Sequence, residues 1–174
     1  MSVELTHLAL AAAAAAEGTA TAVGLHWTPD RETAELVFDD FVTDRDLRVA
    51  SRSLFEGGHY SQAVFEAFKF LNNLVKKRSK VSDDGASLMF KVFSTKGPVL
   101  RLNSLSNLSE LDEQTGYQQI LAGTMTGVRN PRGHEPGNLD TREAATELLS
   151  LANHLVRKVR KATKVKTTKK GSIA

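Results

Sequence analysis

The chain has 174 residues, 41% hydrophobic and 25% charged, a balance that fits one globular domain with a sizeable core. It contains no cysteine, which excludes a disulfide framework and any thiolate metal site and fits a reducing cytoplasm. The net charge of +3 hides an asymmetry: residues 1–50 hold nine acids against three Lys/Arg, and eight cations with no acid fill residues 157–174. A polyanionic partner is therefore worth seeking.

In chain order, "LALAAAAAAEGTATA" is apolar and then small. The residues before it carry Glu4 and no Lys or Arg, so the positive start of a signal peptide is missing and an exposed or loosely docked alanine helix is expected. No run is long and apolar enough to span a bilayer. Thr28 as N-cap and Pro29 at the first helical position open an acidic helix, with Ala34, Val37, Phe38, Phe41 and Val42 at helical spacing. Thr43 with Asp46 forms a capping box for a helix over about 44–55, with Leu47, Ala50 and Leu54 inward. Gly57 and Gly58 end it.

The strongest periodicity covers about 60–78. Tyr60, Ala63, Val64, Ala67, Phe68, Leu71, Leu74 and Val75 form a core stripe, widened by Phe65 and Phe70, so this helix is central. Another helix begins near Asp83, with Ala86, Met89, Phe90 and Phe93 inward. A long connection follows, with a short strand or lone turn at "VLRLN". Ser109 with Asp112 caps the next helix, whose inner face is Tyr117, Ile120, Leu121, Thr124 and Val128. Gly116, Gly123 and Gly127 line one side of it, where a neighbouring backbone can approach closely. Asp140 with Glu143 caps a last helix, in which Ala144, Ala145, Leu148, Leu149, Ala152, Leu155, Val156 and Val159 repeat. The basic tail frays beyond Thr163. The sum is an all-α bundle of four to six helices, without internal repeats.

Between the last two helices lies "GVRNPRGHEPGNLD". Arg129 and His134 are five residues apart and would point apart on an unbroken helix. Pro131 removes a donor and disfavours helix at Asn130, and Gly133 weakens it further, so a bend that brings both side chains to one spot is expected. An arginine forks onto phosphate oxygens, and a histidine moves protons near neutrality. Together they can serve RNA cleavage, in which the 2′-OH is the nucleophile. The spacing alone is met more readily by Arg129 capping helix-end carbonyls beside an ordinary loop histidine.

"RNPRGH" resembles the Arg-x4-6-His signature of the HEPN superfamily, in the form where Asn follows Arg. The wider runs "LFEGGHYSQAVFEAFKFLNNLVKKRS", "DGASLMFKVFS", "LNSLSNLSELDEQTGYQQILAGTMTGVRNPRGHE" and "EAATELLSLANHLVRKV" resemble the Ymh-type family of prophage and bacterial proteins over about 47–159. This resemblance implies an α-helical, HEPN-like bundle that dimerises, with the Arg and His of two protomers in one cleft. It implies metal-independent endoribonuclease activity leaving 2′,3′-cyclic phosphates, in a cytoplasmic toxin–antitoxin or phage-defence setting with a possible antitoxin partner. By resemblance Arg129 stabilises the phosphate, His134 transfers protons and Asn130 orients the pair.

Family members also carry a polar or acidic residue on an earlier helix. On the central helix Gln62, Glu66, Lys69 and Asn73 share one stripe: Glu66 to orient Arg129 or His134, Lys69 or Asn73 to touch RNA. The plain alternative is a solvated face with an i,i+3 Glu–Lys pair. Arg132, Arg157, Lys158, Arg160 and Lys161 are the expected RNA-backbone contacts. The five histidines show no metal-ligand cluster, and no cofactor motif is present. The expected organisation is an N-terminal extension over 1–43, a helical domain over 44–163 and a basic tail over 164–174. The alternative to a nuclease is a non-catalytic helical module for dimerisation, partner binding or nucleic-acid binding.

Overall fold

In a computed structural model of the chain, the described residues are 37–134 and 140–165. The expected alanine helix, most of the acidic helix, His7, His26 and the tail from 166 onward lie outside the described residues.

A short helix α1 (Phe38–Phe41) opens the described fold, with Phe38 and Val42 buried. Helix α2 (Arg45–Glu56) is capped by Asp44, whose Oδ1 accepts from Leu47 N at 3.0 Å. The expected Thr43–Asp46 box is not used. The amides of Thr43 and Asp44 instead donate to Asn153 Oδ1, both at 3.0 Å, which pins the start of α2 to a helix 110 residues away. Rings of Phe38, Phe41, Phe55 and Tyr60 meet edge-on or tilted at centroid distances of 5.2–5.4 Å.

Helix α3 (Tyr60–Ser79) is the central rod, ended by Lys80 in the left-handed conformation at φ 65°. Ala63, Val64, Ala67, Phe68, Leu71 and Val75 are fully buried, as their period requires. Helix α4 (Gly85–Val92) buries Leu88, Met89, Val92 and the following Phe93, while Phe90 is 51% exposed. The expectation that Phe90 faces inward is thus corrected: the i,i+4 pairs Leu88–Val92 and Met89–Phe93 take the core side, and position 90 turns outward.

The expected short strand is present as β1 (Leu100–Arg101). It pairs antiparallel with β2 (Thr163–Lys164) in register Leu100↔Lys164, so the chain stays ordered just past the point where fraying was expected. Helix α5 (Leu108–Thr124) is capped by Asn107 rather than Ser109, through Oδ1 accepting from Glu110 N at 3.0 Å. Its buried Gln114 donates to Phe93 O and Leu100 O and accepts from Leu102 N, satisfying three loop groups. Ile120, expected inside, is 45% exposed. A Cβ at Gly116, Gly123 or Gly127 would meet nothing within 4 Å, so among the described residues no backbone makes the expected close approach on that side.

A π-helical turn (Met125–Arg129) leads into α6 (Asn130–His134). Helix α7 (Arg142–Lys161) is capped by Thr141, whose Oγ1 accepts from Ala144 N at 3.2 Å; Asp140, the expected cap, is used elsewhere. Ala145, Leu149, Ala152, Leu155, Val156 and Val159 of α7 are fully buried. Helix α3 packs against α2, α4, α6, α7 and the π turn, which makes an all-α bundle around it.

Candidate functional site

The expected bend between Arg129 and His134 is absent, so this segment does not by itself bring the two onto one face. Helix α6 runs through both Pro131 and Gly133, and the irregularity sits one turn earlier, where Asn130 N donates to Met125 O, five residues back. Pro131 explains the placement. It cannot donate to the carbonyl four residues before it, and it is tolerated only in a first helical turn, so the ladder resets just upstream. Gly133 is required by packing: a Cβ there would lie 2.8 Å from Phe65 Cε2.

Arg129 ends the π turn with its side chain 26% exposed. Its Nη1 lies 3.5 Å from Asp84 Oδ2 and 3.4 Å from Asn130 Oδ1, both long for hydrogen bonds. The guanidinium carbon stands 5.9 Å from the centre of the Phe65 ring, and Lys69 Nζ stands 5.7 Å from the same ring. Arg129 Nε is buried with no hydrogen-bond partner. A cation held over an aromatic face, with two loose contacts on Nη1, can donate to the oxygens of an incoming anion.

Asp84 organises this cluster from the residue before α4. Its Oδ1 accepts from Asn72 Nδ2 at 2.8 Å and lies 3.2 Å from Lys76 Nζ, while Asn72 Oδ1 accepts from Gly85 N at 3.0 Å. Burial pushes the Asp84 carboxyl up. Hydrogen bonds from Asn72 and Lys76 and the charges of Lys76 and Arg129 outweigh that and hold it below the usual carboxylate range. It therefore stays anionic beside Arg129 near neutrality.

The sequence-predicted residues divide. Arg129 and Lys69 converge on Phe65, and Asn130 lies against Arg129. Glu66 does not orient Arg129: it pairs with Lys69 at 3.0 Å along α3 and accepts from Gln62 at 3.5 Å, the plain i,i+3 arrangement. Asn73 is exposed. The backbone of His134 closes α6, and its side chain lies outside the described residues.

Arg132 is committed internally. Its Nε donates to Asp140 Oδ2 at 2.6 Å, Nη2 to the other oxygen and Nη1 to Val128 O at 2.9 Å, and the two charged side chains are only 10% and 7% exposed. These bonds occupy the guanidinium within the chain. Lys158 pairs with Glu113 at 2.5 Å and sits over the Tyr117 ring, and Arg160 pairs with Asp44 and Asp46. Arg157 and Lys161 are exposed.

Sequence reading missed Phe65, Asn72 and Asp84 as site residues. Asn72 had a signal: it follows Phe68 by four and precedes Val75 by three, a core position for a polar side chain that needs partners. Among the described residues no cluster of His, Asp or Glu could hold a metal ion, and no helix is long and apolar enough to cross a membrane.

The site is thus a π turn that delivers a half-buried arginine to a helical Asn-x3-His segment, beside the central helix of an all-α bundle. The chain belongs to the Hypoth_ymh family, described as a protein of unknown function, which it matches over residues 43–159. No curated protein and no solved structure matches it.

Proposed function

We propose that this chain is a HEPN-type endoribonuclease that works without a metal, in an RNA-targeting toxin or phage-defence role. The observation that carries the reading is the Arg129 guanidinium, held over Phe65 with its Nε unpartnered, at the head of the Asn130–His134 segment. In this reading Arg129 holds the non-bridging oxygens of a phosphodiester. A His134 imidazole takes the proton of the 2′-OH as that oxygen bonds to phosphorus. The P–O5′ bond breaks, and the departing O5′ takes a proton from the other protomer's imidazolium, leaving a 2′,3′-cyclic phosphate and a 5′-OH.

The two-protomer form is supported by the open side of α5. Gly116, Ile120, Gly123 and Gly127 share one helical face that ends two residues before Arg129, and among the described residues nothing covers the glycines. A second copy could pack on that face.

A second reading is a non-catalytic module in which the cluster is a lock. The Asp84–Asn72–Lys76–Arg129 network ties α3, α4 and the π turn together, and that alone is a structural use. RNA incubated in EDTA with the wild type and with Arg129→Ala and His134→Ala separates the two. The nuclease reading expects cleavage that both substitutions abolish. The lock expects no cleavage and a lowered melting temperature for Arg129→Ala.

A further inference from the structure

We propose that the end of the bundle where α3 and α7 terminate is a docking surface for the sugar-phosphate backbone of single-stranded RNA. This rests on the nuclease reading and supplies the substrate grip that Arg129 alone lacks.

The two helix ends are clamped together. Arg78 near the end of α3 donates through Nη1 to Arg160 O at 2.9 Å and through Nη2 to Ala162 O, both at the end of α7. The β1–β2 pair fixes the chain just beyond. Around this clamp stand Lys77, Lys80, Arg101, Arg157, Lys161 and Lys164. Among the described residues none of them pairs with a carboxylate, and all but Arg101 are exposed. Elsewhere Arg48, Arg52, Lys69, Lys91 and Arg132 each have an acidic partner, while Arg45 and Lys96 stand singly. The described cations without a carboxylate partner are thus concentrated at this end.

Cations at helix C-termini can simply answer the macrodipole. Two such termini present only about one negative charge between them, roughly half each. Six uncompensated cations exceed that several-fold, so the surface has charge left for a polyanion.

The surface is also continuous with the candidate site. Asp84 holds Lys76 on one oxygen and Arg129 on the other. Lys80 lies one turn beyond Lys76, ~6 Å along the axis, and at about 100° per residue Lys80 and Lys77 are turned ~40° and ~100° from Lys76, with Arg78 at ~200° facing α7. The lysines therefore circle the end of α3 from the Arg129 side to the α7 side. None of these side chains is aromatic, so the surface offers phosphate contacts without a base-stacking platform and contributes affinity rather than sequence choice.

The test is fluorescence anisotropy with a fluorescein-labelled 2′-O-methyl oligouridylate, which cannot be cleaved by 2′-OH attack, titrated with the full chain over a range of KCl. Lys80→Ala/Lys161→Ala should weaken binding on the order of tenfold at about 0.1 M salt and reduce the log–log salt slope by about 1.4, as expected for two lost single-strand contacts. The charge-matched Lys91→Ala/Lys96→Ala should stay within about twofold of wild type, with the slope unchanged. Equal losses in both variants, no loss in the first, or wild-type binding to phosphatidylserine vesicles but not to the oligonucleotide would overturn the proposal. Cleavage of unmodified RNA by the wild type is scored separately. A docking surface without cleavage sinks only the nuclease reading, and cleavage with an unchanged Lys80/Lys161 variant sinks only the docking surface.

Discussion

Gly133 stands so close to Phe65 that a Cβ built on it would come within 2.8 Å of the ring carbon Cε2. The glycine thus lets α6 lie against α3, and the same ring lies beneath Arg129 on that side of the helix. Gly133→Ala should destabilise the fold by about 1–3 kcal/mol through overpacking. Phe65→Leu in the same chain should recover part of that loss, because the clash has one named partner. Urea melts of the single and double variants check this; strictly additive losses would show that the contact is not the cause.

Arg132 and Asp140 form an ion pair almost shut off from water, and Asp140 N also donates to Ser61 Oγ at 2.7 Å. Arg132→Ala should cost about 3 kcal/mol, since it strands a buried carboxylate. Burial raises the Asp140 pKa, but the hydrogen bonds from Arg132 and Ser61 and the Arg132 charge bring it below its usual 3.8. A depressed folded pKa means that the pair's stabilisation is present above that value and is lost as pH falls through the lower folded one. Thermal melts in acid should therefore show a steeper loss for the wild type than for Asp140→Asn. Parallel curves would remove the pair from the account of acid stability.

Asp84→Ala should destabilise by about 1–3 kcal/mol, because Asn72, only 1% exposed, loses the acceptor of its Nδ2. It also frees Arg129 from its carboxylate. Cleavage should fall less than in Arg129→Ala, since Asp84 positions the arginine and does not touch RNA. Asp84→Asn keeps an acceptor for Asn72, so it should restore most of the stability while leaving cleavage reduced. Full activity in Asp84→Asn would show that the negative charge beside Arg129 is irrelevant.

Gly123→Arg tests the open face of α5. Nothing within 4 Å obstructs a side chain there, and Arg is a better helix former than Gly by up to about 1 kcal/mol, so the monomer should melt no lower than wild type. Sedimentation should show a dimer for the wild type and a monomer for the variant. A monomeric wild type, or a variant that stays dimeric, would exclude this face as the contact.

The helices were legible because their apolar periods are strong: the α3 row from Ala63 to Val75 and the α7 row from Ala145 to Val159 are buried as spaced. Caps were less legible. Asp44, Asn107 and Thr141 each stand one or two residues from the residue favoured by local pattern, because neighbouring Ser, Thr, Asp and Asn compete and tertiary partners such as Asn153 decide. The site was half legible. Arg129 and Asn130 were singled out by resemblance, whereas Asp84 reaches Arg129 only through the packing of α4 on the π turn, 45 residues away in sequence. Pro131 was rightly read as a disturbance, but its effect fell upstream as a π turn instead of as a break after Arg129. The commitments of Arg132 to Asp140 and of Lys158 to Glu113 have no local signature, so their charges looked available when they were not.

The most direct measurement is RNA cleavage in EDTA by the purified wild type, Arg129→Ala, Arg129→Lys and His134→Ala, with product ends identified. The account predicts 2′,3′-cyclic phosphate ends from the wild type, a loss of at least about 100-fold in both alanine variants, and incomplete rescue by lysine, which cannot fork onto two oxygens. Cleavage of equal rate in all four proteins, or none in the wild type over the same RNAs, would contradict it.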